Sequence, residues 1–243
     1  GVWSLSNSAT VGSNWVVTPW PTVFSASRNR VRTFECPSDN PYQVNQNTGS
    51  AIWTTVTGAI SLSGYTSSSL MASGGYPGLT NYVPISGSVG IWTGTAAPGS
   101  IGAFYAAREG IFPGSTTTSQ IEIELTIGAI SDGTSNTLAF AEYIGNTPQP
   151  GNRTTALAWM GATGFPTYFS HRVPSSHFSL DSNHTGIINA VYADGSVRSL
   201  RKFGHYIPPN TTAILNRSNV SWDVLQSLAG RADGDVIQNG IHN

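Results

Sequence analysis

A chain of 243 residues, 39% of them hydrophobic, is long enough to bury a core, and seven Trp and nine Tyr exclude a disordered polymer. Charged residues make up 9% and the net charge is −1, so the cationic footprint of a nucleic-acid binder is absent. The single cysteine, Cys36, excludes a disulfide within this sequence, and no apolar run is long enough to span a membrane.

In chain order, Val31-Arg32-Thr33-Phe34 alternates like a strand and ends at the loop Cys36-Pro37-Ser38-Asp39. Residues 40–120 are rich in Gly, Ser and Thr and read as a loop-rich insertion, with a short helix over 101–109 stopped by Gly110. Ile121, Ile123, Leu125 and Ile127 alternate with Glu122, Glu124 and Thr126, the pattern of a half-buried strand. After a turn at 131–136, residues 137–144 form a second expected strand.

Asp194-Gly195 between two apolar runs predicts a hairpin closed by a two-residue type I′ turn. That register sets Ala193 opposite Ser196 and gives Ile188, Ala190, Tyr192, Val197 and Phe203 one buried face. Ser221 is the expected cap of a helix ending near Ala229, and Val236-Ile237 an expected terminal strand.

Chemistry-bearing patterns are sparse. There is no Gly-x-Ser-x-Gly elbow, no His-Glu-x-x-His and no phosphate-binding loop. Glu122 and Glu124 are the solvated face of a strand before they are an acid/base pair. Asp132, Thr134 and Asn136 offer oxygen ligands suited in kind to calcium, against the simpler reading of a self-bonded Asx turn. Strand geometry separates His184 from Asp194, while the I′ register sets His184 opposite His205, a two-imidazole candidate for a transition metal. Cys36 reads as a structural thiol or as half of a disulfide to a segment outside this sequence.

Five segments together resemble one bacterial family, the pilin-like (pseudopilin-type) proteins with a prepilin-type N-terminus and a His-x9-Asp-Gly signature. The segments are Phe34-Glu35-Cys36-Pro37-Ser38-Asp39, Asn81-Tyr82, residues 130–138 with Glu142, His184 to Asp194-Gly195, and residues 225–236. The resemblance implies an α+β, mainly β head domain over 1–243: a pilin-like antiparallel sheet, the 40–120 insertion, and a core with C-terminal helix over 121–237. The expected sheet strands are 121–127, 137–144, 186–193 and 196–203. It further implies a truncated N-terminal helix upstream, which would be the only membrane attachment, and an exported, periplasmic or cell-surface protein. Its function would be non-enzymatic assembly with other pilin-like subunits, with no nucleic acid bound and calcium as the candidate cofactor. The alternative is an extracellular solute- or carbohydrate-binding module, whose Trp residues would stack on a sugar.

Overall fold

The structure is a computed structural model that describes residues 28–49, 54–56, 59–61, 78–90, 92, 96–112, 125–147, 153–159, 164–171, 178–203 and 210–235. The strands are β1 (Val44–Gly49), β2 (Thr54–Val56), β3 (Ala59–Ser61), β4 (Leu79–Thr80), β5 (Tyr82–Gly87), β6 (Leu138–Glu142), β7 (Arg153–Ala158), β8 (Phe165–Pro166), β9 (Ile187–Tyr192) and β10 (Val197–Arg201). The helices are α1 (Ile101–Ala107), α2 (Thr211–Leu215) and α3 (Val220–Ala229).

The strands make a five-stranded sheet ordered β10-β9-β6-β5-β8, a three-stranded sheet ordered β1-β7-β4 and the hairpin β2-β3. This corrects the expected single pilin-like antiparallel sheet. β1 runs parallel to β7, and β8 runs parallel to β5. β5 comes from the segment read as an insertion, yet it lies between β6 and β8 in the large sheet. Of the expected strand at 121–127, residues 121–124 lie outside the described residues and Ile127–Ala129 is a 3-10 turn. Arg32–Phe34 is also a 3-10 turn, not a strand. The expected strand at 236–237 lies outside the described residues.

The β9–β10 hairpin differs from expectation by one residue. Val197 pairs with Val191 and Leu200 with Ile188. The connection is therefore Ala193-Asp194-Gly195, in which only Gly195 has positive φ, at 82°. A three-residue loop with glycine in the left-handed position replaces the type I′ turn. The Asp194 side chain accepts the Ser196 N–H at 2.9 Å, which holds the corner. Because side chains alternate, the slip of one turns Val197 to the opposite face, where it is 66% exposed.

One face of the large sheet is dry. Val83, Ile85, Ala141, Ile188, Ala190 and Leu200 pack with Leu225, Leu228 and Ala229 of α3. Asn219, rather than Ser221, caps α3 by accepting the Trp222 N–H at 2.9 Å. A second cluster joins α1 and α2 to α3 through Phe104, Tyr105, Ile214 and Trp222.

Gly145 follows β6 with φ of 74°, and a Cβ there would lie 1.8 Å from the Thr155 carbonyl oxygen. Backbone strain alone at such a site costs about 1–3 kcal/mol, and the clash adds to it. Gly145→Ala is therefore expected to lower the urea midpoint clearly. Gly195→Ala, with nothing within 4 Å of its Cβ, should incur the strain and no clash. Equal midpoints for the two variants would contradict this packing.

Candidate functional site

The other face of the large sheet carries two rows. Pairing sets Tyr82 beside Glu142 and Asn189 beside Ser199. Asn189 joins the pairs, because its backbone N–H donates to Glu142 Oε2 at 2.7 Å and its amide accepts from Ser199 Oγ at 3.0 Å. Two residues along, Pro84, Phe140, Val191 and Val197 line up across the same four strands. A bulge between Leu138 and Phe140 then breaks the alternation, so that Leu138 turns to the core while Phe140 faces outward.

The apolar row floors a groove of about 540 Å³, with Tyr82 and Asn189 along one edge and Phe34 and Trp159 at its side. The Phe34 and Trp159 rings lie 5.9 Å apart, tilted by 51°. Phe34, Phe140 and Val197 are all exposed large hydrophobics.

Within the polar row, the 36–39 loop closes over Glu142, which is 1% exposed. Cys36 Sγ lies 3.4 Å from Glu142 Oε1 and 3.5 Å from His184 Nε2, and His184 Nε2 lies 3.1 Å from the same Oε1. Ser38 Oγ is 3.0 Å from the thiol. A buried carboxylate must be compensated, and here the Asn189 backbone and side chain, His184 and Cys36 all face it. Burial, with Cys36 and Glu142 nearby, holds the Tyr82 phenol above its usual value.

The loops that bring these groups together are themselves tied down. The Cys36 N–H donates to Asn81 Oδ1 at 2.9 Å, and the Asn81 amide donates to Asp39. Asp39 also accepts from Arg153 and Asn183. On the other side, the His184 N–H donates to Ser182 Oγ, and Lys202 pairs with Asp181 at 2.7 Å.

Among the described residues, Cys36, Glu142 and His184 form a group of donor atoms close enough to hold a metal ion. The arrangement differs from a nucleophilic relay. In a relay the histidine bridges thiol and carboxylate through its two ring nitrogens. Here both groups approach the same nitrogen, so the three atoms converge on a point.

The residues singled out by sequence are placed as follows. Asp132 accepts the N–H groups of Asp233 and Gly234 at 2.7 and 3.0 Å. The Asn136 amide donates to the Asp132 carbonyl, and the Thr134 carbonyl accepts the Asp194 N–H. These contacts pin three loops together, and nothing in them specifies calcium. His184 joins Cys36 and Glu142, while His205 lies outside the described residues. No helix among the described residues is long and apolar enough to cross a membrane.

The Cys36–Glu142–His184 group was not visible from spacing, since its members stand 106 and 42 residues apart on two loops and a strand. The one signal was that all three sit inside the short motifs quoted above.

Comparison with known families gives one match. Residues 3–171 match the model of a family described as protein of unknown function (DUF1559), which carries the solute-binding-protein label SBP_bac_10. The chain belongs to this family. No curated protein and no solved structure matches. Membership of SBP_bac_10 overturns the pilin-like resemblance: one model covering more than half of the chain outweighs five short motifs. The pilin-assembly function and the pilin-like partners fall with it, and the separate sheets fit a solute-binding-protein-like fold better. Solute-binding families are in general non-catalytic, which agrees coarsely with the expectation of no enzyme. An exported location is consistent with an SBP_bac_10 protein.

Proposed function

We propose that the protein binds a small solute with one apolar face and several hydroxyls, a carbohydrate ring being the closest chemical class, in the groove of the large sheet. The observation that carries this is the convergence of Phe34, Phe140 and Val197, exposed and apolar, on one concave surface. Soluble proteins rarely gather exposed apolar side chains without a contact to make. The volume of about 540 Å³ falls within the usual range for small-molecule sites. Phe140 and Trp159 line the groove with aromatic surface suited to a C–H face, and Tyr82, Asn189 and Thr80 line it with polar groups.

This reading asks only for binding. A ligand that binds the folded state raises the melting temperature with concentration. In a panel of mono- and disaccharides, at least one is expected to do so for the wild type. Phe140→Glu should abolish the shift, and Trp159→Ala should weaken binding at least tenfold, about 1.4 kcal/mol. Both side chains border the open groove, so the variants should fold. A shift of equal size in wild type and Phe140→Glu would contradict the assignment.

A further inference from the structure

We propose that Cys36, Glu142 and His184 are the protein ligands of a divalent transition metal of the zinc class, at a site separate from the groove and independent of the solute reading. The argument is metric. Zinc bonds of about 2.3 Å to sulfur, 2.05 Å to nitrogen and 2.1 Å to oxygen, at tetrahedral angles, require S···N and S···O separations of about 3.6 Å and N···O of about 3.4 Å. The observed separations are 3.5, 3.4 and 3.1 Å. The donors therefore stand within about 0.3 Å of where a tetrahedral ion would hold them, on the bond lengths just given.

The donor set also selects the ion. A thiolate with an imidazole and one carboxylate oxygen suits zinc or a similar borderline ion. Calcium takes six to eight oxygens and has no use for sulfur. The surroundings resemble those of a ligated metal: Asn189 orients Glu142 through both oxygens, its backbone N–H donating to Oε2 at 2.7 Å and its amide more loosely to Oε1 at 3.3 Å. Ser38 Oγ, 3.0 Å from the thiol and 3.4 Å from His184 Nε2, adds a hydroxyl to the same cluster.

Binding is balanced simply. The Cys36 S–H bond breaks, a sulfur–metal bond forms, the proton leaves to solvent, and the metal keeps its oxidation state. His184 ligates through the Nε2 lone pair with its proton on Nδ1. The ion joins the 36–39 loop, β6 and the 181–187 loop, so it should stabilise the fold by linkage.

The test uses the reduced, chelator-stripped protein titrated with Co(II). One equivalent should bring the near-ultraviolet thiolate-to-cobalt band and the visible bands of a four-coordinate ion. Zn(II) should erase both and raise the melting temperature, whereas Ca(II) should do neither. Cys36→Ser should lose the charge-transfer band. His184→Ala, at a partly exposed side chain that the fold tolerates better, should weaken Co(II) at least tenfold. Absence of the band in the folded wild type, or unchanged Co(II) affinity in His184→Ala, would mean that the three groups are only a hydrogen-bonded cluster.

Discussion

Trp222→Ala is expected to lower the unfolding free energy by about 3–5 kcal/mol, the range for emptying a large aromatic site. Trp222 lies in the first turn of α3 and is 1% exposed. Its ring stacks on Phe104 at 5.9 Å and 12° and meets Tyr168 edge-on at 5.9 Å. Its indole N–H donates to the Tyr168 carbonyl at 2.8 Å. One side chain therefore joins α3, α1 and the segment after β8. Trp222→Phe keeps most of the area and loses the hydrogen bond, so about 1–3 kcal/mol is expected. Urea denaturation of both variants checks the order. A Trp222→Phe loss as large as the alanine loss would mean that the hydrogen bond, not the packing, carries the contact.

The second large effect is electrostatic. Arg108 is 5% exposed and lies over the Phe104 ring at 4.0 Å. It pairs with Asp235 and stands 3.7 Å from Asp233 Oδ2. Arg217 also pairs with Asp235, at 2.7 Å, and Asp223 feels both guanidiniums. Three carboxylates thus share two cations in a largely buried space, and full ionisation would leave a net negative charge there. Burial accordingly pushes the Asp233 carboxyl up to about 7 and Asp223 up to about 6, against the pull of the arginines. Asp235, held by Arg217 and Ser227, moves the other way.

The sign follows from proton counting. Asp233 and Asp223 hold protons in the folded state at pH values where the unfolded chain has released them. Their contribution to stability is therefore complete below about pH 4 and is lost as pH rises to about 7. Asp233→Asn should flatten the pH dependence of the melting temperature between pH 5 and 8. Arg108→Met should cost about 3–5 kcal/mol at pH 8, the loss expected when one partner of a buried pair is removed. The same variant should lose less at pH 5, where Asp233 and Asp223 hold protons and Asp235 alone still needs a cation. A loss that does not change with pH would put the role of Arg108 in its packing on Phe104 alone.

These expectations could not be formed from the chain alone, because Arg108 stands 127 residues from Asp235 in it. What was legible was local. The Asp194-Gly195 corner, the apolar run at 137–144, the helix after Gly99-Ser100 and the α3 stripe follow from turn chemistry and periodicity. The hairpin register differs from the expected one because Asp-Gly serves both a two-residue turn and a three-residue loop ending in a left-handed glycine. That single residue decides whether Val197 is core or groove. β5 is obscured in the sequence because Pro84, Ser86 and Gly87 interrupt the strand signal of Tyr82, Val83 and Ile85. β8 is two residues long and owes its existence to pairing with β5. The β6 bulge, which turns Leu138 into the core, is announced by no pattern in Leu138–Glu142.

The five motifs had real content of another kind. Cys36, Asp39, Asn81, Glu142 and His184 meet in one hydrogen-bonded assembly, and Asp132 meets the 231–235 loop. Motif order reflected three-dimensional proximity correctly. It did not identify the family, because short motifs record which loops are braced and not what the whole chain is for.

The central claim, a solute site on the open sheet face, is tested most directly by backbone-amide shift mapping. The ligand is whichever saccharide raises the melting temperature most. At saturation the account predicts shifts centred on Phe34, residues 80–84, Phe140, Trp159, residues 189–191 and Val197. Shifts centred instead on the small polar cavity of about 190 Å³ lined by Asp39, Arg153 and Asn183, or scattered over α3, would contradict it.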